Sequence, residues 1–288
     1  MDWSERRERF RALLDEDRCI YPGSVFDPIS ARIAEDLGFE AGMFAGSIAS
    51  YTVLGAPDIV MLTLSEFAGQ ALRICRASQL PLLVDADHGY GNALNVKRTV
   101  EELETAGVCG LTIEDTLLPA PFGGSSGKSL VSIEEGVGKM RAALSARQDR
   151  RLVVVGRTSA IAFASVEDAI ARANAYVATG IDAMFFVGIR TRAQLDAIAS
   201  EIKIPILLGG AGAEIYGRDY LASRGVRICL QGHLPFLAGV RAVYETLKAL
   251  RDGTPPAEIR TAASAEVMKR VTREAEYGRW SKDFLGSE

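Results

Sequence analysis

The feature that most constrains the fold is an alternation of short apolar runs with amphipathic helical segments, repeated eight times. The apolar runs span residues 19–24, 41–46, 82–87, 110–114, 152–157, 183–187, 204–208 and 227–231. They show little strict alternation of apolar and polar residues, as expected for parallel strands buried on both faces. Eight strand–helix units in about 230 residues favour an α/β fold of the closed (β/α)8 TIM-barrel type over an open doubly wound sheet.

Amphipathic segments between these runs predict the helices of the barrel. They span residues 28–37, 64–77, 95–106, 132–146, 166–179, 192–200, 216–223 and 235–250. Thr63 or Ser65 is placed to cap the second of them. Ser132, three residues before Glu135, predicts a capping box at the start of the fourth.

Two segments lie outside the eight units. Residues 1–14 predict an amphipathic helix with Phe10, Leu13 and Leu14 on one side, suited to cover the bottom of the barrel. At the other end, a Pro-Pro break precedes a helix over 257–277, which we expect to project from the barrel. Docking of that helix on another subunit would make an oligomer, and the alternative is that it packs on its own barrel. We predict one domain over residues 1–288, with 254–288 as a C-terminal helical extension.

Charge and composition exclude several classes of protein. The chain has 288 residues with 33 basic and 37 acidic groups, which gives a net charge of −4. This charge does not indicate binding to nucleic acid or to an anionic membrane, which is typical of proteins with an excess of basic residues. No apolar run approaches the roughly 18 residues of a membrane span, and the charged N-terminus lacks the apolar core of a secretory signal. The four cysteines are far apart, which is typical of buried thiols in a reduced, cytoplasmic protein, and the two histidines argue against zinc.

Acidic residues concentrate where the third and fourth strands end, which is where barrel enzymes carry their active sites. Asp85 and Asp87 are two residues apart and point to the same side of an extended strand, and Glu114 ends the next strand. Desolvated like charges repel unless a cation joins them, and hard oxygen ligands suit Mg2+ or Mn2+. Asp58, on the loop after the second strand, is placed to reach such a metal through water. The alternative is a capping or salt-bridge role for these acids.

Other strand ends supply candidate substrate contacts. Arg157 ends the fifth strand, where it can balance the acids or bind a substrate carboxylate with two hydrogen bonds. His233 follows the eighth strand and can hydrogen-bond a substrate, move a proton or serve the structure alone. Gly46 and Ser47 follow the second strand and offer free backbone N–H groups to an anion such as a keto-acid carboxylate.

Three other chemistries fit the sequence poorly. The run Gly123-Gly-Ser-Ser-Gly-Lys-Ser129 resembles a phosphate-binding loop, but Phe122 stands where that motif needs glycine and no strand precedes it. We predict instead that residues 119–130 form a lid over the barrel mouth. The run Gly89-Tyr-Gly-Asn92 does not match the dinucleotide-binding motif, and no lysine ends a predicted strand, which argues against a Schiff-base aldolase. No organic cofactor is therefore expected.

The strand-end motifs resemble a known group of enzymes. The runs Val84-Asp-Ala-Asp-His-Gly-Tyr-Gly-Asn92, Leu111-Thr-Ile-Glu-Asp115 and Gly156-Arg-Thr-Ser-Ala160 are similar to those of the isocitrate lyase/phosphoenolpyruvate mutase superfamily. The phrases Ser24-Val-Phe-Asp-Pro and Glu135-Gly-Val-Gly-Lys139 resemble its oxaloacetate decarboxylase family. The resemblance implies a phosphoenolpyruvate/pyruvate-type barrel that exchanges a C-terminal helix with a partner, and a homotetramer built as a dimer of dimers.

The resemblance also implies an activity and a role for each candidate residue. The activity is that of a carboxy-lyase, the Mg2+-dependent decarboxylation of oxaloacetate to pyruvate and CO2 through a metal-stabilised enolate. By position, Asp85 matches the direct metal ligand, and Asp58, Asp87 and Glu114 match groups that hold the metal through water. The residues that match substrate contacts are Ser47, beside Gly46, together with Arg157 and His233. Arg157 and His233 are also the candidate catalytic groups.

Two alternatives remain open at this point. One is a C–C bond lyase acting on a substituted malate or another 2-hydroxy diacid, similar to methylisocitrate lyase. Such lyases carry a catalytic cysteine after the fourth strand, and residues 119–130 contain none. The other is a non-catalytic barrel that binds a keto acid.

The chain departs from the family pattern at Ser159, where many relatives have asparagine, and at Gly209-Gly-Ala-Gly212, where some have bulkier residues.

Overall fold

Eight parallel strands form one sheet in the computed structural model, which describes residues 2–120, 122 and 129–286. The strands pair in chain order: β1 (Gly23–Ser24), β2 (Gly42–Ala45), β3 (Leu82–Asp85), β4 (Gly110–Glu114), β5 (Val153–Thr158), β6 (Ala183–Phe186), β7 (Ile206–Leu208) and β8 (Val226–Cys229). Ile20, just before β1, makes a parallel bridge to Ile228 in β8. The sheet therefore curls round until its first and last strands are linked, and the predicted TIM-type fold is confirmed.

One helix precedes the first strand, and further helices follow the strands along the chain. In the barrel they are α1 (Ser4–Asp15), α2 (Pro28–Asp36), α3 (Gly46–Ala49), α4 (Leu64–Ala77), α5 (Ala93–Thr105), α6 (Ile133–Ala146), α7 (Ala160–Phe163), α8 (Val166–Val177), α9 (Arg192–Glu201) and α10 (Arg218–Ser223). Thr63 caps α4 through a reciprocal capping box with Glu66. Ser132 caps α6 by accepting a 3.1 Å hydrogen bond from the Glu135 amide, which is one half of the predicted capping box.

Apolar side chains form two separate layers on the two faces of the sheet. The outer layer fills the space between strands and helices, and the inner layer lies inside the barrel and includes Leu83 and Val155. Phe10 of α1 is fully buried in the inner layer, and a Cβ added at Gly110 would lie 2.6 Å from its ring. The prediction that the N-terminal helix covers one end of the barrel is therefore confirmed.

The chain divides into two compact units, Met1–Gly232 and His233–Glu288. The second unit contains α11 (Leu234–Arg251), α12 (Ala265–Val271) and α13 (Glu274–Leu285). The single helix predicted over 257–277 is wrong in its bounds and continuity. Ser264 caps α12 by accepting from the Val267 amide, so the helix starts there, and Arg273 adopts a left-handed φ of 60° that separates α12 from α13.

The segment predicted as a lid, residues 119–130, lies largely outside the described residues, and with it most of the run that resembles a phosphate-binding loop. Its ends are held together, because the Leu117 amide donates to the Ser129 carbonyl at 2.8 Å and Thr116 bridges Leu130. None of the described helices is long and apolar enough to cross a membrane.

Candidate active site

Strand register brings the predicted acidic residues and the arginine together. Asp85 at the end of β3 lies beside Thr112 of β4, and Glu114 at the end of β4 lies beside Arg157 of β5. Asp85 follows Leu83 by two residues and Arg157 follows Val155 by two, so each shares the inward face of its strand. The carboxyl ends of three adjacent strands therefore direct charged side chains into one end of the barrel.

Arg157 joins the two acidic strand ends. One terminal nitrogen, Nη1, donates to Asp85 Oδ2, and the other, Nη2, lies 3.1 Å from Glu114 Oε2. Thr112 Oγ1 donates to the second oxygen of Asp85 at 2.8 Å. Burial alone would lower the pKa of Arg157, but the charges of Asp85 and Glu114 outweigh it and raise that pKa. The guanidinium is therefore a permanent cation, and its face lies over the Phe185 ring, 5.4 Å from the centroid.

Asp87 lies beside the ion pairs that Arg157 forms with Asp85 and Glu114. Its backbone has a left-handed φ of 48°, and its carboxylate packs so closely on Gly46 that a Cβ there would lie 2.4 Å from Oδ2. Burial is the main cause that raises the pKa of Asp87 well above its usual range, followed by repulsion from Asp85 and Glu114. An ionised Asp87 would thus give the site more negative charge than Arg157 can balance.

Asp58 and Ser47 lie at the edge of the same cluster. Asp58 is exposed on the loop after the second strand, and its charge also raises the pKa of Asp87. Ser47 is half-buried and follows Gly46, the residue that contacts the Asp87 carboxylate. Gly46 therefore contacts the Asp87 carboxylate, and Asp58 lies near enough for its charge to act on Asp87, while the roles of Ser47 and Asp58 stay predictions.

The donor set suits a hard divalent cation. Uncompensated carboxylate oxygens are the ligands that Mg2+ and Mn2+ prefer, and an added cation would relieve the repulsion at Asp87. Among the described residues, no three His, Cys, Asp or Glu side chains are close enough to form a ready-made metal cage. Mg2+ is often bound through one or two carboxylates and several waters, so a looser set of acids is compatible with it.

His233 belongs to the second unit, where it is half-buried and precedes α11 as its N-cap residue. Its role as a substrate contact remains a prediction. His88, next to Asp87, is buried in the first unit. Burial, with a smaller contribution from the nearby Lys139, lowers the pKa of His88 to about 4, so the imidazole is neutral at pH 7.

A buried polar network behind the site was missed by sequence reasoning. Asp115 is fully buried and accepts hydrogen bonds from the Tyr176 hydroxyl at 2.9 Å and from Arg172 at 3.3 Å. Arg172 also donates to the carbonyl of Val131, just beyond the predicted lid, at 2.8 Å. The network thus ties the end of β4 to the point where the chain returns from the lid segment.

Thr112 was also missed, although the sequence carried a signal for it. It lies two residues before Glu114 and therefore shares its strand face. Asp115, Arg172 and Tyr176 carried no comparable signal, because only the packing of α8 against the sheet brings them together.

Comparison with known proteins assigns this barrel to a family. The profile of phosphoenolpyruvate phosphomutase matches residues 10–251, and the chain belongs to that family. The oxaloacetate decarboxylase of Bradyrhizobium diazoefficiens is 59% identical over 286 residues, which cover 99% of both chains. The oxaloacetate decarboxylase of Rhodopseudomonas palustris is 58% identical over 286 residues, again with 99% of both chains covered. The predicted superfamily and branch are thereby confirmed.

Solved structures agree with this assignment. Phosphoenolpyruvate phosphomutase from Streptomyces platensis subsp. rosaceus superimposes with a TM-score of 0.86 at 26% identity, over 97% of this chain and 99% of that one. A phosphonopyruvate hydrolase in complex with oxalate and Mg2+ gives a TM-score of 0.85 at 28% identity, with the same coverage. A similar fold in that protein therefore binds Mg2+ together with a small dicarboxylate.

Proposed function

We propose that this chain decarboxylates oxaloacetate to pyruvate and CO2 in a metal-dependent reaction. The observation that carries the proposal is full-length identity of 58–59% to two relatives named oxaloacetate decarboxylase. The geometry agrees with it, because Asp85, Glu114 and Arg157 meet at the mouth of the barrel. A keto diacid needs cationic partners for its carboxylates, and this end of the barrel offers a guanidinium beside a candidate cation site.

Four carboxylates would hold the metal, which we propose to be Mg2+, with Mn2+ as a substitute. Asp85 is the proposed direct ligand, and Asp87, Glu114 and Asp58 are proposed to hold it through water. When bound, a divalent cation supplies Lewis-acid stabilisation for the negative charge that develops on the keto oxygen as CO2 leaves. No covalent enzyme intermediate is required.

The remaining candidate residues would bind and orient the substrate. Ser47 and the backbone N–H groups beside Gly46 are proposed to hold the carboxylate next to the keto group. Arg157 is proposed to bind a substrate carboxylate, since its buried Nε has no hydrogen-bond partner among the described residues. His233 is the further proposed contact. Orientation by fixed charges lowers the barrier because these groups need no rearrangement during the reaction.

We further propose that the enzyme is a cytoplasmic homotetramer. Helix α11 exposes Leu237, Val240, Tyr244 and Leu247, the kind of apolar surface that subunit contacts cover. All four cysteines are buried free thiols, which suits a reducing compartment. Light scattering and sedimentation of the purified chain test the oligomeric state.

The activity is tested by measuring pyruvate formed from oxaloacetate, with Mg2+ and with EDTA, after subtracting the metal-driven background. Replacing Asp85 with alanine should lower the metal-dependent rate by about 100-fold or more, because it removes the proposed direct ligand. Asp17→Ala is the matched control, since Asp17 is almost fully exposed and forms its ion pair with Arg227, 2.9 Å away, instead of with the acidic cluster. Absence of turnover above background in the wild type would contradict the proposal.

Product analysis distinguishes the alternative chemistry. Carbon NMR of labelled oxaloacetate should show pyruvate and CO2 in equal amounts. Release of a second carboxylic acid in place of CO2, or cleavage of a substituted malate, would indicate a C–C bond lyase. Metal binding without turnover on any of these substrates would favour a keto-acid-binding barrel.

A further inference from the structure

The loop after β3 has an unusual backbone. Asp87 and Tyr90 have φ values of 48° and 60°, and Gly89 and Gly91 have φ values of 77° and 146°. A left-handed conformation is unfavourable at a non-glycine residue, because its Cβ comes too close to the following carbonyl oxygen. Asp87 keeps its position only if bonds from the surrounding structure hold this loop in place.

Three successive carbonyl groups of this loop are each held by a different element. The Asp87 carbonyl accepts a hydrogen bond from the Glu114 amide of β4 at 2.8 Å. The His88 carbonyl accepts from Lys139 Nζ of α6 at 3.0 Å. The Gly89 carbonyl accepts from Thr99 Oγ1 of α5 at 3.0 Å. The loop is therefore fixed at three points, of which the middle one is an amine on a long side chain.

Burying Lys139 at this position is energetically unfavourable. The residue is 2% exposed, and no carboxylate among the described residues forms an ion pair with it. Burial lowers its pKa, an effect that the charges of Glu135 and Glu114 oppose. Lysine is almost never fully buried unless it is paired, since removing an ammonium from water is strongly unfavourable. An apolar side chain would fill this space at lower cost, so the hydrogen bond to His88 is the feature that the lysine provides.

We propose that Lys139 is a positioning residue for the metal site. By holding the His88 carbonyl, it keeps the neighbouring Asp87 in its left-handed conformation, with the carboxylate against Gly46 and facing the acidic cluster. Lys139 does not itself touch substrate or metal. The inference rests on the proposed function to the extent that Asp87 helps to hold a divalent cation.

The test compares Lys139→Met with Lys139→Arg, which keeps a charged donor. Lys203→Met is the control, because Lys203 is exposed and donates to the Ala199 and Ser200 carbonyls near the end of α9. Mg2+ binding is measured by calorimetry without substrate, and amide hydrogen exchange over residues 86–91 is measured without metal.

Lys139→Met should weaken Mg2+ binding about 10- to 100-fold, the range observed when residues supporting metal ligands are removed. Its exchange over residues 86–91 should be faster, and its kcat at saturating Mg2+ should fall far less than its metal affinity. Lys139→Arg should recover much of the affinity, and Lys203→Met should match the wild type. Thr99→Val removes the adjacent hydrogen bond to the loop without burying or exposing a charge. It should weaken Mg2+ binding and speed amide exchange in the same way, so it serves as the test if Lys139→Met fails to fold.

Two results would overturn the inference. One is wild-type metal affinity and wild-type exchange in a folded Lys139→Met variant, and the other is an arginine variant no better than the methionine variant. Failure of the proposed function is recognised separately. A wild-type protein that binds Mg2+ but releases no CO2 contradicts the activity alone, whereas the exchange experiment reports on the loop whether or not metal binds.

Discussion

Replacing Gly46 with alanine adds one methyl group at the start of α3, where the backbone contacts the Asp87 carboxylate. The new Cβ would lie 2.4 Å from Oδ2, 2.6 Å from Oδ1 and 2.8 Å from Cγ of Asp87. Favourable non-bonded contacts between carbon atoms lie at about 3.5–4.0 Å, so the carboxylate would have to move by about 1 Å. We therefore expect Gly46→Ala to displace Asp87 from the metal site.

The size of the effect follows from that displacement. Disturbing groups that support a metal site costs about 10- to 100-fold in affinity, and a misplacement of about 1 Å in an active site costs on the order of 100-fold in rate. We expect Mg2+ to bind about 10- to 100-fold more weakly to Gly46→Ala, and kcat/KM for oxaloacetate to fall by about 100-fold. Stability should change little, because alanine favours the helix over glycine by about 1 kcal/mol and so offsets part of the strain.

Mg2+ calorimetry and the pyruvate assay measure these two quantities, and thermal melting shows whether the variant is folded. The matched control is Gly138→Ala in α6, where an added Cβ would meet nothing within 4 Å. The control should keep wild-type metal affinity and gain about 0.5–1 kcal/mol of stability. Wild-type Mg2+ affinity in Gly46→Ala would refute the link between this glycine and Asp87.

Two further changes probe the buried groups behind the site. Gly136→Ala would place a Cβ 2.3 Å from the Tyr176 hydroxyl, so we expect it to break the hydrogen bond from that hydroxyl to Asp115. The free energy of unfolding, measured in urea, should fall by about 1–3 kcal/mol, whereas Gly138→Ala should not lower it. Burial lowers the pKa of His88 to about 4, so between pH 6.5 and about 4 the folded chain binds fewer protons at this residue than the unfolded chain does. The stability of the protein therefore falls as the pH drops through that window. His88→Gln should remove about 2 kcal/mol of that fall between pH 7 and pH 4.5, measured as urea midpoints at these two pH values, and parallel curves for the two proteins would show the reasoning to be wrong.

Most of the barrel and the centre of the site were predictable from local pattern. The β4 bounds Gly110–Glu114 and the α4 bounds Leu64–Ala77 match the predicted runs. Parallel strands of a barrel end at one face, so residues at successive strand ends must lie near one another. That rule alone predicts that Asp85, Glu114 and Arg157 lie close together.

What the sequence did not reveal depends on contacts between distant segments. Lys139 lies on the buried stripe of α6 with Gly136 and Met140, and its i, i+3, i+4 spacing marks the helix face that packs inward. Nothing in that spacing says that its amine reaches the carbonyl of His88, 51 residues earlier. Arg273 likewise gave no local sign of a left-handed turn, so the break in the C-terminal helix was missed.

The two roles that the sequence left open for Arg157 are compatible in the structure. A guanidinium has five N–H donors in a fixed plane. Asp85 and Glu114 engage the two terminal nitrogens, while Nε is buried without a hydrogen-bond partner among the described residues. A buried donor without a partner costs about 1–3 kcal/mol, more for a charged group, and a substrate carboxylate would relieve that cost. Balancing the acids therefore holds Arg157 in place with a donor still available, which makes the same residue suited to bind a diacid.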